Sequence, residues 1–184
     1  YNEQPENRLS LIGAGLYDHF IPSVVGHMTG RSEFYSAYTP YQAEISQGTL
    51  TWMFEFQTEI AELTGMDIAN SSMYDGGSSA AEAVLMAQEY LGKDKIIVSD
   101  TLNPRYRDVI ETYLPLRENQ VIELKNDNGR IDRDHLDHIL SSEDSIAGVV
   151  VQSPNYFGII ENLDGLKQML DDSFLIVSSN PISL

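Results

Sequence analysis

Residues 95–125, KIIVSDTLNPRYRDVIETYLPLRENQVIELK, pass from a β-branched run through a helical pattern into a second β-branched run. KIIVSD (95–100) reads as a strand. Asn103 and Pro104 then open the helical pattern PRYRDVIETYLPLRE, with Pro at an early position where its missing N–H does no harm. QVIELK (120–125) is the next strand, and NDNGR after it is turn chemistry. Working outward, Asp132 can cap a helix RDHLDHILSS. IAGVVVQS (146–153) is a third strand, apolar almost throughout, as a strand buried on both faces should be. LDGLKQMLDD supplies a further helix and FLIVSS (174–179) a fourth, central-looking strand. This alternation implies an α/β fold with a mainly parallel sheet, right-handed crossovers and helices on both faces.

The first half is organised differently. QGTLTWMFEFQTEIAELTG carries Leu50, Met53, Phe54, Ile60 and Leu63 mostly at helical spacing, with Gly65 as its expected left-handed cap. A second helix, SSAAEAVLMAQEYLG, follows a Gly76-Gly77 turn and closes at Gly92. Before both, GRSEFYSAYTPYQAEISQG reads as an ordered loop, too aromatic for flexible filler. The chain thus divides into an N-terminal segment with a Tyr-rich loop (1–48) and a partial α/β large domain (49–184). It opens on Tyr1 without an initiator Met and stops just after a strand, so sequence is expected beyond Leu184. A sheet cut there leaves an unpaired edge, and self-association of the isolated fragment is the expected consequence.

Composition narrows the function. With 184 residues and 42% hydrophobic content the chain can bury a core. No apolar run approaches the roughly 20 residues of a membrane helix. Eleven basic against 28 acidic residues give a net charge of −17, a balance that disfavours nucleic acid and anionic membrane as partners. Without cysteine there is no thiol nucleophile, disulfide or thiolate metal site, which fits a cytoplasmic location.

Several stretches could carry chemistry. The turn of Gly76, Gly77 and Ser78 into a helix admits two readings, a phosphate cradle or plain turn-and-cap chemistry, and it matches neither a Walker loop nor G-x-G-x-x-G. Tyr35, Tyr38, Tyr41, Gln42 and Glu44 could line a polar pocket, or form a packed Ω-loop that buries its rings. His135 and His138 share a helix with Asp134 and Asp137, yet no third ligand is placed, and a solvated acidic helix explains them better than a metal site. His19, in LYDHFIP, suits either catalysis or structure. Of the four lysines, Lys93, Lys95, Lys125 and Lys167, none sits in an apolar setting that would tune it for Schiff-base chemistry.

Taken together, GAGLYDHFIPSVV, RSEFYSAYTPYQAEISQGTL, FEFQTEIAELTGMDIANSSMYDGGSSAAEA and SPNYFGIIE resemble the glycine cleavage system P protein. This is glycine decarboxylase, also called glycine dehydrogenase (aminomethyl-transferring). The resemblance is in particular to its subunit 1, the N-terminal half in organisms that split the protein. It implies the large domain of a fold type I pyridoxal-phosphate-dependent transferase. It also implies a reaction in which glycine loses its carboxyl carbon as CO2 and its aminomethyl group passes to the lipoyl arm of the H protein. The pyridine ring is the electron sink for such chemistry.

That fold holds its cofactor with an Asp at a strand end and a Lys further on. Here Ser178, Ser179 and Asn180 occupy the strand end with no carboxylate among them, and the Lys would lie beyond Leu184, outside this sequence. The resemblance therefore implies that pyridoxal phosphate sits in a partner, subunit 2, while this chain completes the active site. Tyr38, Thr39, Tyr41 and Gln42 would approach the cofactor and substrate, with Glu44 and His19 behind them, and Gly76, Gly77 and Ser78 would mark a degenerate phosphate turn. The rival expectations are a purely structural subunit and a self-sufficient enzyme of the same fold.

Overall fold

The computed structural model describes residues 19–35, 39–114 and 120–184, and the chain forms two compact units, residues 1–72 and 73–184. The first holds three helices, α1 (Ser23–Thr29), α2 (Ser32–Tyr35) and α3 (Ala43–Thr64). The division that the sequence suggests at 48/49 falls inside α3. The stretch expected to be an ordered loop over 30–48 is partly helical: α2 lies within it, and α3 begins at Ala43, with a non-helical kink at Ser46. The kink hides the helical period of AEIS from that of the residues after it. α3 ends as expected at Gly65, whose φ of 71° supplies the left-handed cap. Among its described residues this unit buries no side chain fully.

The second unit opens on α4 (Gly76–Leu91), capped at its far end by Gly92. It continues through β1 (Lys95–Ser99), α5 (Pro104–Tyr113), β2 (Val121–Leu124) and the two-residue strands β3 (Asn126–Asp127) and β4 (Arg130–Ile131). α6 (Arg133–Ser142), β5 (Ile146–Gln152), α7 (Leu166–Met169) and β6 (Phe174–Ser178) complete it. The main sheet has the order β2-β1-β5-β6 with every pair parallel, and β3–β4 is a separate antiparallel hairpin. In this order β6 comes last, beside β5, and is half-exposed.

Alternate residues of the inner strands feed two cores. Ile96, Val98 and Val150 pack with Ala81 and Val84 of α4 and Ile110 of α5. Ile97, Val149 and Val151 pack with Leu136 and Ile139 of α6 and with Leu166 and Leu170. This two-faced burial is why IAGVVVQ is apolar at almost every position and wholly buried.

Helix ends follow local chemistry. Asn103 Oδ1 accepts from Arg105 N–H at 3.0 Å beside Pro104, and Asp132 Oδ1 accepts from His135 N–H at 3.0 Å. Two helices are shorter than their sequences suggest. α5 stops at Tyr113 because Leu114, preceding Pro115, is held extended (ψ 137°). α7 keeps only Leu166–Met169, bounded by Gly165 (φ 74°) and Asp171 (φ 48°). No helix among the described residues is long and apolar enough to cross a membrane.

Candidate functional site

In an open parallel sheet, ligands bind at the carboxyl ends of the strands, where successive connections leave in opposite directions. Here that point lies between β1 and β5, since the chain steps from β1 out to β2 and then returns to β5 on the other side. The protein's own groups bridge it. Asn103 N–H donates to Gln152 Oε1 at 2.8 Å, and Tyr156 N–H donates to the Thr101 carbonyl at 2.9 Å. Ser99 and Thr101, both fully buried, pair through their hydroxyls at 2.8 Å. At the next gap, Ser153 N–H donates to the Ser178 carbonyl and the Ser179 hydroxyl donates to the Ser153 carbonyl at 2.9 Å.

The glycine pair lies within the first turn of α4, not in a turn ahead of it. Asp75 is the cap: its carboxylate accepts from Ser78 N–H at 2.7 Å, and that bond holds it below the usual carboxylate range. A Cβ on Gly76 would stand 2.5 Å from the Tyr106 hydroxyl, so the side chain of α5 lies against this turn. Gly77 is buried and Ser78 half-buried.

The Tyr-rich loop leads into α3. Thr39 is exposed, Tyr41 N–H donates to the Thr39 carbonyl at 2.9 Å, and Gln42 occupies the position before the first helical residue. Glu44 stands in the first turn. Tyr35 and Tyr41 are 85% and 88% exposed, so neither buries its ring as a packed Ω-loop would require. Thr39, Tyr41, Gln42 and Glu44 are thus neighbours on one exposed segment. His19 is exposed near the start of the described residues, and Tyr38 lies outside them. His135 Nδ1 accepts from Lys125 N–H at 3.1 Å, tying α6 to the end of β2, and no group among the described residues could hold a metal.

Among the described residues, the chain's own groups meet the start of α4 and the end of β6. At the start of α4 the Asp75 carboxylate takes the Ser78 N–H. β6 runs into Ser178, Ser179 and Asn180, and Asn180 Oδ1 accepts from Ile182 N–H at 3.0 Å. Lys93 and Lys95 lie at the amino end of β1, paired with Asp172 at 2.9 Å and Glu143 at 2.7 Å. Lys167 Nζ donates to the carbonyls of Asp171 and Ser173. Lys125 lies exposed just beyond β2.

One buried constellation was not anticipated. Asn155, 2% exposed, donates through Nδ2 to the Gly129 carbonyl at 2.8 Å and to Glu161 Oε1 at 2.7 Å. Its Oδ1 accepts from Phe157 N–H and Ile159 N–H. Glu161 Oε2 accepts from Ile131 N–H at 3.3 Å, so the pair binds the loop after β5 to the β3–β4 hairpin. SPNYFG signals a turn in the sequence, but nothing there names Gly129 or Ile131 as partners.

The same architecture recurs in solved enzymes. Burkholderia pseudomallei sphingosine-1-phosphate lyase matches with a TM-score of 0.59 at 17% identity, covering 83% of this chain and 39% of that one. The pyridoxal-phosphate-bound C-S lyase from Staphylococcus hominis matches with a TM-score of 0.54 at 16% identity, covering 85% of this chain and 40% of that one. The fold is therefore that of the large domain of fold type I pyridoxal-phosphate-dependent enzymes.

Within that class the assignment is sharper. The sequence matches the model of the glycine cleavage system P-protein over residues 2–184. An inhibitor-bound crystal structure of glycine decarboxylase (P-protein) of the glycine cleavage system superposes with a TM-score of 0.82 at 37% identity, over 92% of this chain and 38% of that one. "Probable glycine dehydrogenase (decarboxylating) subunit 1" of Oceanobacillus iheyensis is 51% identical over 95% of this chain, and its namesake in Bacillus thuringiensis matches equally well. The chain belongs to the glycine cleavage system P-protein family. It spans 39% of the length of these curated relatives.

Proposed function

We propose that this chain is part of subunit 1 of a cytoplasmic glycine cleavage P protein. Together with a second subunit it decarboxylates glycine and passes the aminomethyl group to the lipoyl arm of the H protein. Pyridoxal phosphate is held by the second subunit, and this chain completes the active site without forming a Schiff base. The observation that carries this division of labour is the carboxyl edge of the sheet. Its ligand positions are taken by the chain's own groups, through the Asp75–Ser78, Asn103–Gln152 and Thr101–Tyr156 bonds.

The Tyr-rich segment is what this chain offers to the shared site. Tyr38, Thr39, Tyr41 and Gln42 are assigned to it, with Glu44 and His19 in a secondary place. Tyr41, 88% exposed beside the kinked start of α3, presents its phenol outward. Phenol and amide groups bind and orient polar substrate atoms without carrying charge, which suits a small zwitterion facing a cofactor held elsewhere.

The test is a pyridoxal-phosphate titration with borohydride trapping, on the full chain alone and then co-expressed with the second subunit. The expected aldimine appears only in the complex and maps to a lysine of the second subunit. Trapping on this chain alone overturns the reading. In the same complex, Tyr41→Phe and Gln42→Ala should each lower turnover at least about tenfold while assembly survives. Unchanged turnover in both variants would leave this subunit a structural role only.

A further inference from the structure

The stretch NDNGR builds the reversal between β3 and β4. Asp127 pairs with Arg130 across the hairpin, so Asn128 and Gly129 alone make the turn. Both take positive φ, 51° and 79°, as a type I′ turn requires. Asn and Gly are the residues that reach this left-handed region at least cost. The same pair is chemically labile. A glycine after Asn leaves its backbone nitrogen unhindered, free to attack the side-chain amide carbon of the Asn.

In this hairpin that nitrogen is pinned. Gly129 N–H donates to Asn126 Oδ1 at 2.9 Å, and the Gly129 carbonyl accepts from Asn155 Nδ2 at 2.8 Å. Asn126 is fixed in turn by Asp100 Oδ2, which accepts from its Nδ2 at 2.7 Å and from its N–H at 3.2 Å. The Asn128 amide is engaged as well, with Nδ2 donating to Asp127 Oδ1 at 2.9 Å. Ile159 Cδ1 would stand 3.0 Å from a Cβ on Gly129, so the loop after β5 closes over the turn. A type I′ turn also keeps the ψ of its first central residue small, whereas ring closure needs that ψ rotated well towards extended backbone.

We propose that Asn128 is a latent deamidation site, held unreactive by this turn and reactive only when the bonds that pin Gly129 open. In the reaction the Gly129 nitrogen loses its proton to solvent and bonds to Asn128 Cγ. The Cγ–Nδ2 bond breaks, ammonia leaves, and water hydrolyses the five-membered imide at either carbonyl. One product is Asp at position 128. The other is an isoaspartyl linkage, which routes the main chain through the side-chain carbon. Neither restores the turn. A carboxylate at 128 faces the Asp127 oxygen that now accepts from its amide, and the isoaspartyl link lengthens a two-residue turn that sets the hairpin register. Opening is reversible before this step and permanent after it. Asn155 holds Gly129 and Glu161 together, so a lost turn also frees the hairpin from the loop after β5.

The experiment uses the full chain at physiological pH and temperature. Peptide mapping by mass spectrometry follows conversion of Asn128 in the native chain and in the same chain unfolded in urea. Residue-resolved hydrogen exchange measures protection of the Gly129 amide in the native chain. The unfolded chain should convert at least about tenfold faster, and that ratio should match the Gly129 protection within about threefold, because one local opening governs both. Asn126→Ala should reduce both quantities together by at least about threefold and leave the rate in urea unchanged. Equal rates in the native and unfolded chain would overturn the proposal. Slowing far beyond the Gly129 protection would overturn it too, since some other feature would then control the reaction. The comparison within the wild-type chain decides even if Asn126→Ala does not fold.

Discussion

At the scale of single residues, two side chains shape the carboxyl edge of the sheet. Asn155 spends all its polar capacity inside the protein, on the Gly129 carbonyl, Glu161 and two amides. Asn155→Ala leaves at least two of those groups buried and unpaired, so it should cost about 2 kcal/mol or more in urea unfolding. An effect below about 0.5 kcal/mol would mean that water replaces the amide. Asp75 acts through charge. Its folded pKa lies below the unfolded one because Ser78 N–H favours the carboxylate. Its contribution is therefore complete above the unfolded value, near pH 4, and is lost as pH falls through the folded value. Asp75→Ala should lower the melting temperature at pH 7, and the gap from wild type should narrow as pH falls below the unfolded carboxylate value and on through the lower folded one. A gap independent of pH would assign the cap no electrostatic part.

At the scale of elements, close approach is bought with glycine. α4 and α5 meet where Gly76 faces Tyr106, and β5 approaches β6 where a Cβ on Gly148 would stand 2.7 Å from the Phe174 carbonyl. Gly148→Ala must move backbone and should destabilise by about 1–3 kcal/mol. Gly76→Ala can be relieved by moving a side chain. Its cost, measured by chemical denaturation, should therefore vanish in a Tyr106→Ala background, where the two changes couple. Additive costs would show that Tyr106 is not the obstacle. The elements were legible where local chemistry decides them. Runs such as KIIVS and IAGVVVQ are β-branched between turns, and Asp132, Gly65 and Gly92 announce helix ends. They were not legible where a local signal was masked or a distant partner was needed. Pro40 and the kink at Ser46 disguise the start of α3, and the left-handed Gly165 and Asp171 shorten α7. The cap of α4 is Asp75, beside the glycine pair whose pattern dominates the local sequence. The Asn155–Glu161 pair depends on Gly129 and Ile131, which lie 24 or more positions earlier.

At the scale of the whole molecule, the two units differ in kind. Residues 73–184 bury both faces of a parallel sheet, with Ile96, Ile97, Val149 and Val150 fully enclosed. Among the described residues of 1–72 none is fully buried, and Phe54, Leu63 and Ile68 are 72%, 71% and 85% exposed. The 22-residue α3 is packed only in part, through contacts such as Phe34–Trp52 and Gln57 Nε2 to the Ala69 carbonyl, and helices with little tertiary packing are marginal in water. β5 has neighbours on both sides and opens only when the sheet does. Native-state hydrogen exchange on the 184-residue chain should therefore find amides of 146–152 protected at least about a hundredfold more than those of 50–63. Adding the rest of the full chain and the second subunit should raise protection over 50–63 far more than over 146–152, because only the helix has a face still to bury. Equal protection of the two segments in the 184-residue chain would mean that α3 is held by packing of its own.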